Sequence, residues 1–186
     1  MANKDAAFGL KAIGKVGQNR DNQGLSEYSI AASATAIYQW DPVEMLATGT
    51  IGVAAAGDVL IGSLNGVFYT DASTSKPTWA NHLAASNTAT DIVGFISDDP
   101  YERFEVQSAG TVAAADIGLC ADIAYTAGSS PDYISKTEIS GTMAATAAQL
   151  KIIGVSKDPD NNELGAANAN VIVTINEHFL KQEAGI

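Results

Sequence analysis

The sequence predicts an all-β chain: a small β-barrel-like domain with an extended N-terminal arm and long loops. Three observations carry that expectation. The stretch from Ala36 to Tyr69, AIYQWDPVEMLATGTIGVAAAGDVLIGSLNGVFY, holds two β-branched or aromatic runs joined by Gly- and Ala-rich connectors, with no helical period long enough to compete. Toward the end, Leu150–Val155 (LKIIGV) and Asn170–Asn176 (NVIVTIN) form the two clearest strands, an antiparallel pair joined by the polar Lys157–Glu163 loop. Charged residues make up 17% of the chain, below the usual quarter, while Gly, Ala, Ser and Thr are abundant, as suits a β-rich chain with many turns. At 186 residues one domain is enough, and it can bury most of its apolar surface.

Residues 1–28 read as the arm and 29–186 as the domain. Met1 to Asn22 shows neither alternation nor a helical stripe, and it carries four of the ten basic residues, Lys4, Lys11, Lys15 and Arg20. A locally basic start on an acidic chain marks a segment that docks on a partner. Phe8, Leu10 and Ile13 are its apolar anchors, expected to be buried by a neighbouring subunit or another surface because no regular pattern fits them to the chain's own core. Within the arm, Gly9-Leu-Lys-Ala-Ile-Gly14-Lys15-Val16 stops one residue short of a phosphate-binding P-loop. Val16 has no hydroxyl for magnesium, and only eight residues precede Gly9, too few for the launching strand, so nucleotide binding is excluded.

A short strand is predicted over Glu27–Ala31, then a turn at Ser33–Thr35. Pro42 cannot donate to a sheet ladder and marks a bend or an edge. Val59–Leu64 and Val67–Thr70 flank Asn65-Gly66, a pair that favours a type I′ turn, so a hairpin is expected there. Asp71–Asn87, rich in Ser, Thr, Ala and Asn, reads as a long partner-seeking loop with Trp79 as its anchor. Ile92–Ile96 is a short strand stopped by a turn at Asp98-Asp99-Pro100. Beyond it Glu102–Gln107 alternates charged and apolar residues, placing Phe104 and Val106 inside. Thr111–Asp122 is either a helical turn or a loop leading to a strand at Ile123–Thr126, and Gly128–Asp132 is a loop.

No catalytic, cofactor or metal constellation emerges. The Asp158-Pro-Asp160-Asn-Asn162-Glu163 run has oxygen ligands at the first, third and fifth positions of a calcium loop. It lacks the glycine of the sixth, where Glu163 sits, and the glutamate of the twelfth, where Ala169 sits. Asp98 and Asp99 are neighbours in an extended chain and point to opposite faces, which suits turn initiation better than acid–base work. His82 and His178 are isolated, and the single cysteine, Cys120, lies in apolar surroundings as a buried, inert thiol without a disulfide partner. An enzyme is therefore not expected. With 10 Lys and Arg against 21 Asp and Glu, the formal charge of −11 disfavours nucleic acid and anionic lipid as partners. No apolar run approaches the roughly 20 residues that cross a bilayer, and the start lacks the unbroken apolar core of a signal peptide.

Several motifs together resemble a known group. Ala36-Ile-Tyr-Gln-Trp-Asp-Pro-Val43, Asp98-Asp-Pro100 leading to Phe104-Glu-Val-Gln107, Asp116-Ile-Gly-Leu-Cys-Ala-Asp122 and Ala169–His178 are similar to the small capsid decoration, or cement, proteins of tailed bacteriophages. The likeness runs from about Thr35 to the C-terminus, with departures at Trp40, where the group's pattern has Gly, and at Cys120, where it has Asn. It implies a β-barrel-like decoration domain, a homotrimer on the outer surface of the virion head, the major capsid protein as partner, and neither cofactor nor catalysis. It also implies one continuous strand over Val59–Tyr69 in place of the hairpin. The alternative from another class is a tail or fibre β module that binds a host-surface carbohydrate, for which Trp79 and Tyr101 are the loop aromatics.

Overall fold

A computed structural model of the chain describes residues 2–17 and 24–181. Within them the chain is all-β, built from antiparallel strands with only two short 3-10 turns, Ala114–Asp116 and Phe179–Lys181. The strands are β1 (Lys11–Lys15), β2 (Ser26–Ser29), β3 (Pro42–Met45), β4 (Ile51–Val53), β5 (Leu60–Thr70), β6 (Pro77–Ala80), β7 (Val93–Ser97), β8 (Glu102–Gln107), β9 (Cys120–Ala121), β10 (Ile123–Ala124), β11 (Glu138–Ile139), β12 (Leu150–Val155) and β13 (Asn170–Ile175). They form no single closed barrel. One sheet has the order β1-β8-β13-β12-β9, the other β2-β7-β5-β3-β4 with β6 also on β5, and β10 and β11 make a small ribbon.

β5 is the spine of the second sheet. One of its edges pairs along its middle with β7; the other is shared, β3 taking Leu60–Ser63 and β6 taking Val67–Thr70. The Asn65-Gly66 hairpin expected from sequence is thus absent, and the eleven residues continue as one strand with a register shift between Leu64 and Gly66. Neither residue takes the positive φ that a type I′ turn demands. The glycine answers to a different need: a Cβ at Gly66 would lie 2.9 Å from the Trp79 ring. At Gly62 a Cβ would stand 1.9 Å from the Ser97 carbonyl oxygen, so this strand crossing also requires glycine.

The pleat of β5 sorts two cores. Leu60 belongs to the cluster of Leu10, Phe104, Val106, Ile139, Leu150, Ile152, Val171 and Val173, whereas the next residue, Ile61, belongs to that of Ile30, Ile37, Val43, Ile51, Leu64, Leu83 and Ile96. Successive side chains on a strand point to opposite faces, so a single strand can wall two cores. Just past β13 the chain returns to this wall: the Leu60 N–H donates to the Glu177 carbonyl at 3.0 Å. Buried Gln149 adds a polar tie. Its Nε2 donates to the Ala55 and Asp58 carbonyls at 2.8 and 2.7 Å, and its Oε1 accepts from the Ile123 N–H at 3.0 Å.

From Asn3 to Val16 the expected extended arm is held by the chain's own fold and does not wait for a partner to bury it. Lys11–Lys15 is an edge strand on β8, with a bulge between Ala12 and Gly14. Before it, the Leu10 N–H donates to the Trp40 carbonyl at 2.9 Å and the Gly9 N–H to that of Thr137 at 3.1 Å. Leu10 is fully buried in the first core, so it is no anchor for a partner. Carboxamides hold the rest. Buried Gln107 accepts the Ala6 N–H and donates to the Lys4 carbonyl, both at 2.9 Å, and buried Asn161 donates to the same carbonyl at 2.7 Å. Side-chain clamps and a bulge leave no sequence period, which is why the segment reads as irregular.

Pattern-based expectations hold better elsewhere. β8 buries Phe104 and Val106, β12 and β13 form the antiparallel pair, and Cys120 is a buried free thiol. Pro42 opens β3, an interior strand, directly after a bend at Trp40, whose φ is 65°. A left-handed φ favours glycine, so Trp40 sits where glycine would be unstrained. The expected Asp71–Asn87 loop contains β6. The Trp40 carbonyl accepts from Leu10 of the first core and its N–H donates to the carbonyl of Leu64 of the second at 2.6 Å, tying the bend to both cores.

Leu10→Ala should therefore lower unfolding free energy by about 3 kcal/mol, the usual cost of emptying a buried leucine site, with a smaller loss for half-buried Phe8→Ala. Urea denaturation measures both. A Leu10 effect below about 1 kcal/mol would contradict the burial described for it.

Candidate protein-binding face

The outward face of the second sheet presents an aromatic patch four strands wide. Across β5 and β6, Phe68 is paired with Trp79; across β5 and β7, Gly66 is paired with Phe95 and Phe68 with Val93; across β2 and β7, Glu27 is paired with Phe95. Directly paired residues share a face, so these side chains are neighbours. The Trp79 ring reaches over Gly66 and meets the Phe95 ring with centroids 4.7 Å apart, tilted by 49°. Trp79 nevertheless remains 58% exposed and Phe68 40% exposed. The indole is fixed from beneath and open from above, the condition of a rigid interface anchor.

The other residues expected to bind a partner are dispersed. Lys4 forms an ion pair with Asp160, Lys15 pairs with Asp99 at 2.6 Å, and the Lys11 ammonium lies 5.6 Å from the Trp40 ring centroid. Each of these cations thus has a partner within the chain. Phe8 is half-buried, Ile13 is 37% exposed on the bulged edge, and Arg20 lies outside the described residues. Of the candidate set, only Trp79 stands in a cluster of exposed aromatics. Phe68, Phe95 and Glu27 were missed, because reading Asn65-Gly66 as a turn breaks the alternation that would have placed residues 66 and 68 on one face.

The remaining polar candidates have structural employment. Asp98 accepts the Ser26 and Tyr28 hydroxyls at 2.9 and 2.7 Å, and Asp99 accepts the Tyr101 N–H at 2.8 Å, as a turn requires. His82 stacks on Tyr133 with centroids 3.9 Å apart. In the Asp158 run, Asn161 is committed to the Lys4 and Asn168 carbonyls. Among the described residues no group of three or more His, Cys, Asp and Glu is placed to hold a metal ion. No helix among them is long and apolar enough to cross a membrane.

Comparison of the chain with protein-family models, characterised proteins and solved structures finds no match.

Two buried titratable groups stand apart from the aromatic face. Asp41 accepts the Tyr38 N–H at 2.8 Å, while its second oxygen has no well-formed partner. Burial pushes its pKa up to about 6, against the opposing pull of Ser135, the Tyr38 amide and Tyr125. His178 accepts the Leu180 N–H at 3.1 Å through Nδ1, and its Nε2 is buried without a partner. Burial, then the charge of Lys181, lowers its pKa to about 4. The signs oppose. Asp41 binds its proton more tightly when folded, so its contribution falls as pH rises from about 4 to 6; His178 binds less tightly when folded, so its contribution rises from about 4 to 6.5. Asp41→Asn should remove the first slope, making the variant gain on the parent by up to about 3 kcal/mol between pH 4 and 7. Urea midpoints at pH 4, 5, 6 and 7 test this, and a difference independent of pH would contradict it.

Proposed function

We propose that this chain is a non-enzymatic virion structural protein that binds the outer surface of a bacteriophage capsid and stabilises the head, a decoration or cement protein acting as a homotrimer. The class rests on the resemblance of the sequence motifs. The observation that carries the reading on the structural side is the fixed, open Trp79 ring on a β scaffold, a surface made to meet another macromolecule. The major capsid protein is the proposed partner, and the net charge of −11 argues against nucleic acid or an anionic membrane in that role. A carbohydrate-binding tail module is the weaker reading, since a sugar needs polar groups directly beside its stacking ring and the immediate neighbours of Trp79 on this face are Phe68, Phe95 and Gly66.

Capsid shells prepared without this protein provide the test. The purified chain should co-sediment with them, raise the temperature at which they rupture, and run as a trimer by light scattering. Absence of retention together with a strict monomer would overturn the reading.

A further inference from the structure

We propose that the outward face formed by Trp79, Phe95, Phe68 and Glu27 receives an arginine or lysine side chain, presented on an apolar segment of a protein partner. The inference rests on the reading that the chain works by docking on another protein, and it names the surface and the chemistry. The Trp79 indole, 58% exposed and backed by the tilted Phe95 ring, offers an open aromatic face on which a cation can sit. Glu27, exposed on the neighbouring strand and opposite Phe95, stands one strand spacing away, so a guanidinium or ammonium lying over the rings can reach its carboxylate. Phe68 and Val93 continue the face with apolar surface for the residues flanking that cation.

Charge selects this occupant over others. At the far end of the face stand Asp71 and Asp91, with Lys76 beside them; Asp71 is held by the Ser73 and Thr74 hydroxyls and Asp91 accepts the Thr70 N–H. The balance is acidic, in a chain whose formal charge is −11. Two copies of this face brought together would oppose acid to acid, and an anionic partner would be repelled. A cation-bearing apolar segment meets complementary groups at both ends.

The probes are the peptides acetyl-Leu-Arg-Leu-amide and acetyl-Leu-Glu-Leu-amide, titrated into the full chain while the Trp79 indole N–H is followed by NMR and assigned with Trp79→Phe. The arginine peptide should shift that signal saturably and bind at least about threefold more tightly than the glutamate peptide, in keeping with an exposed cation–π contact. Glu27→Lys, an exposed substitution, should reverse the preference, and in Trp79→Ala, followed through the backbone amide of Phe95, the arginine preference should be lost. On capsid shells the same two variants should lose about tenfold in retention. Indistinguishable peptides, or a preference untouched by Glu27→Lys, would overturn the proposal. Peptides that behave as expected with shells that retain no form of the chain would leave this face standing and remove the capsid reading. Shells that retain the parent and both variants equally would keep the capsid reading and overturn this face as its docking surface.

Discussion

An interior strand must satisfy its backbone on both edges, and in this molecule that demand falls on the eleven residues of β5. One edge is met by β7 and the other by β3 and β6 in succession, so three strands take their positions from one. The crossings are close enough that two glycines are forced: Gly62 lies against the Ser97 carbonyl and Gly66 beneath the Trp79 ring. The same pleat that sends Leu60 into one core sends Ile61 into the other. The register is strict as well, because a slip by one residue would carry Leu64 and Val67 out of the second core and turn exposed Phe68 inward.

Buried carboxamides complete what strand pairing leaves open. Gln107, Asn161 and Gln149 each reach backbone groups far away in sequence, and each is buried with its hydrogen bonds made. Buried polar groups left unpaired cost about 1–3 kcal/mol each, so such clamps specify one arrangement of the irregular segments. Through them residues 3–6 are fastened to the loop between β12 and β13 and to the end of β8. The Trp79 face lies on strands, where an exposed ring is held at little entropic cost.

Legibility in the sequence followed the source of order. β8, β12 and β13 carry alternating or β-branched runs, and their positions, with Phe104 and Val106 inside, were readable. β6 was hidden, because Pro77-Thr-Trp-Ala80 lies among Ser, Thr and Asn and is held to β5 by backbone pairing. Asn65-Gly66 misled because a glycine required for clearance looks the same as one required for a turn. Leu10 was read as an anchor for a partner because its place in the core is set by backbone hydrogen bonds to Trp40, a residue thirty positions away. Trp79 was recognised as an anchor from its setting, whereas its companions Phe68, Phe95 and Glu27 needed the strand register.

In the proposed role, a β scaffold built around β5 presents the Trp79 face to a viral shell. A cryo-electron microscopy reconstruction of decorated heads, at a resolution that places side chains, tests it most directly. Density for this chain is expected on the outer surface, with Trp79, Phe95 and Glu27 against a basic side chain of the capsid protein. Heads on which the chain is bound with that face turned to solvent would contradict it.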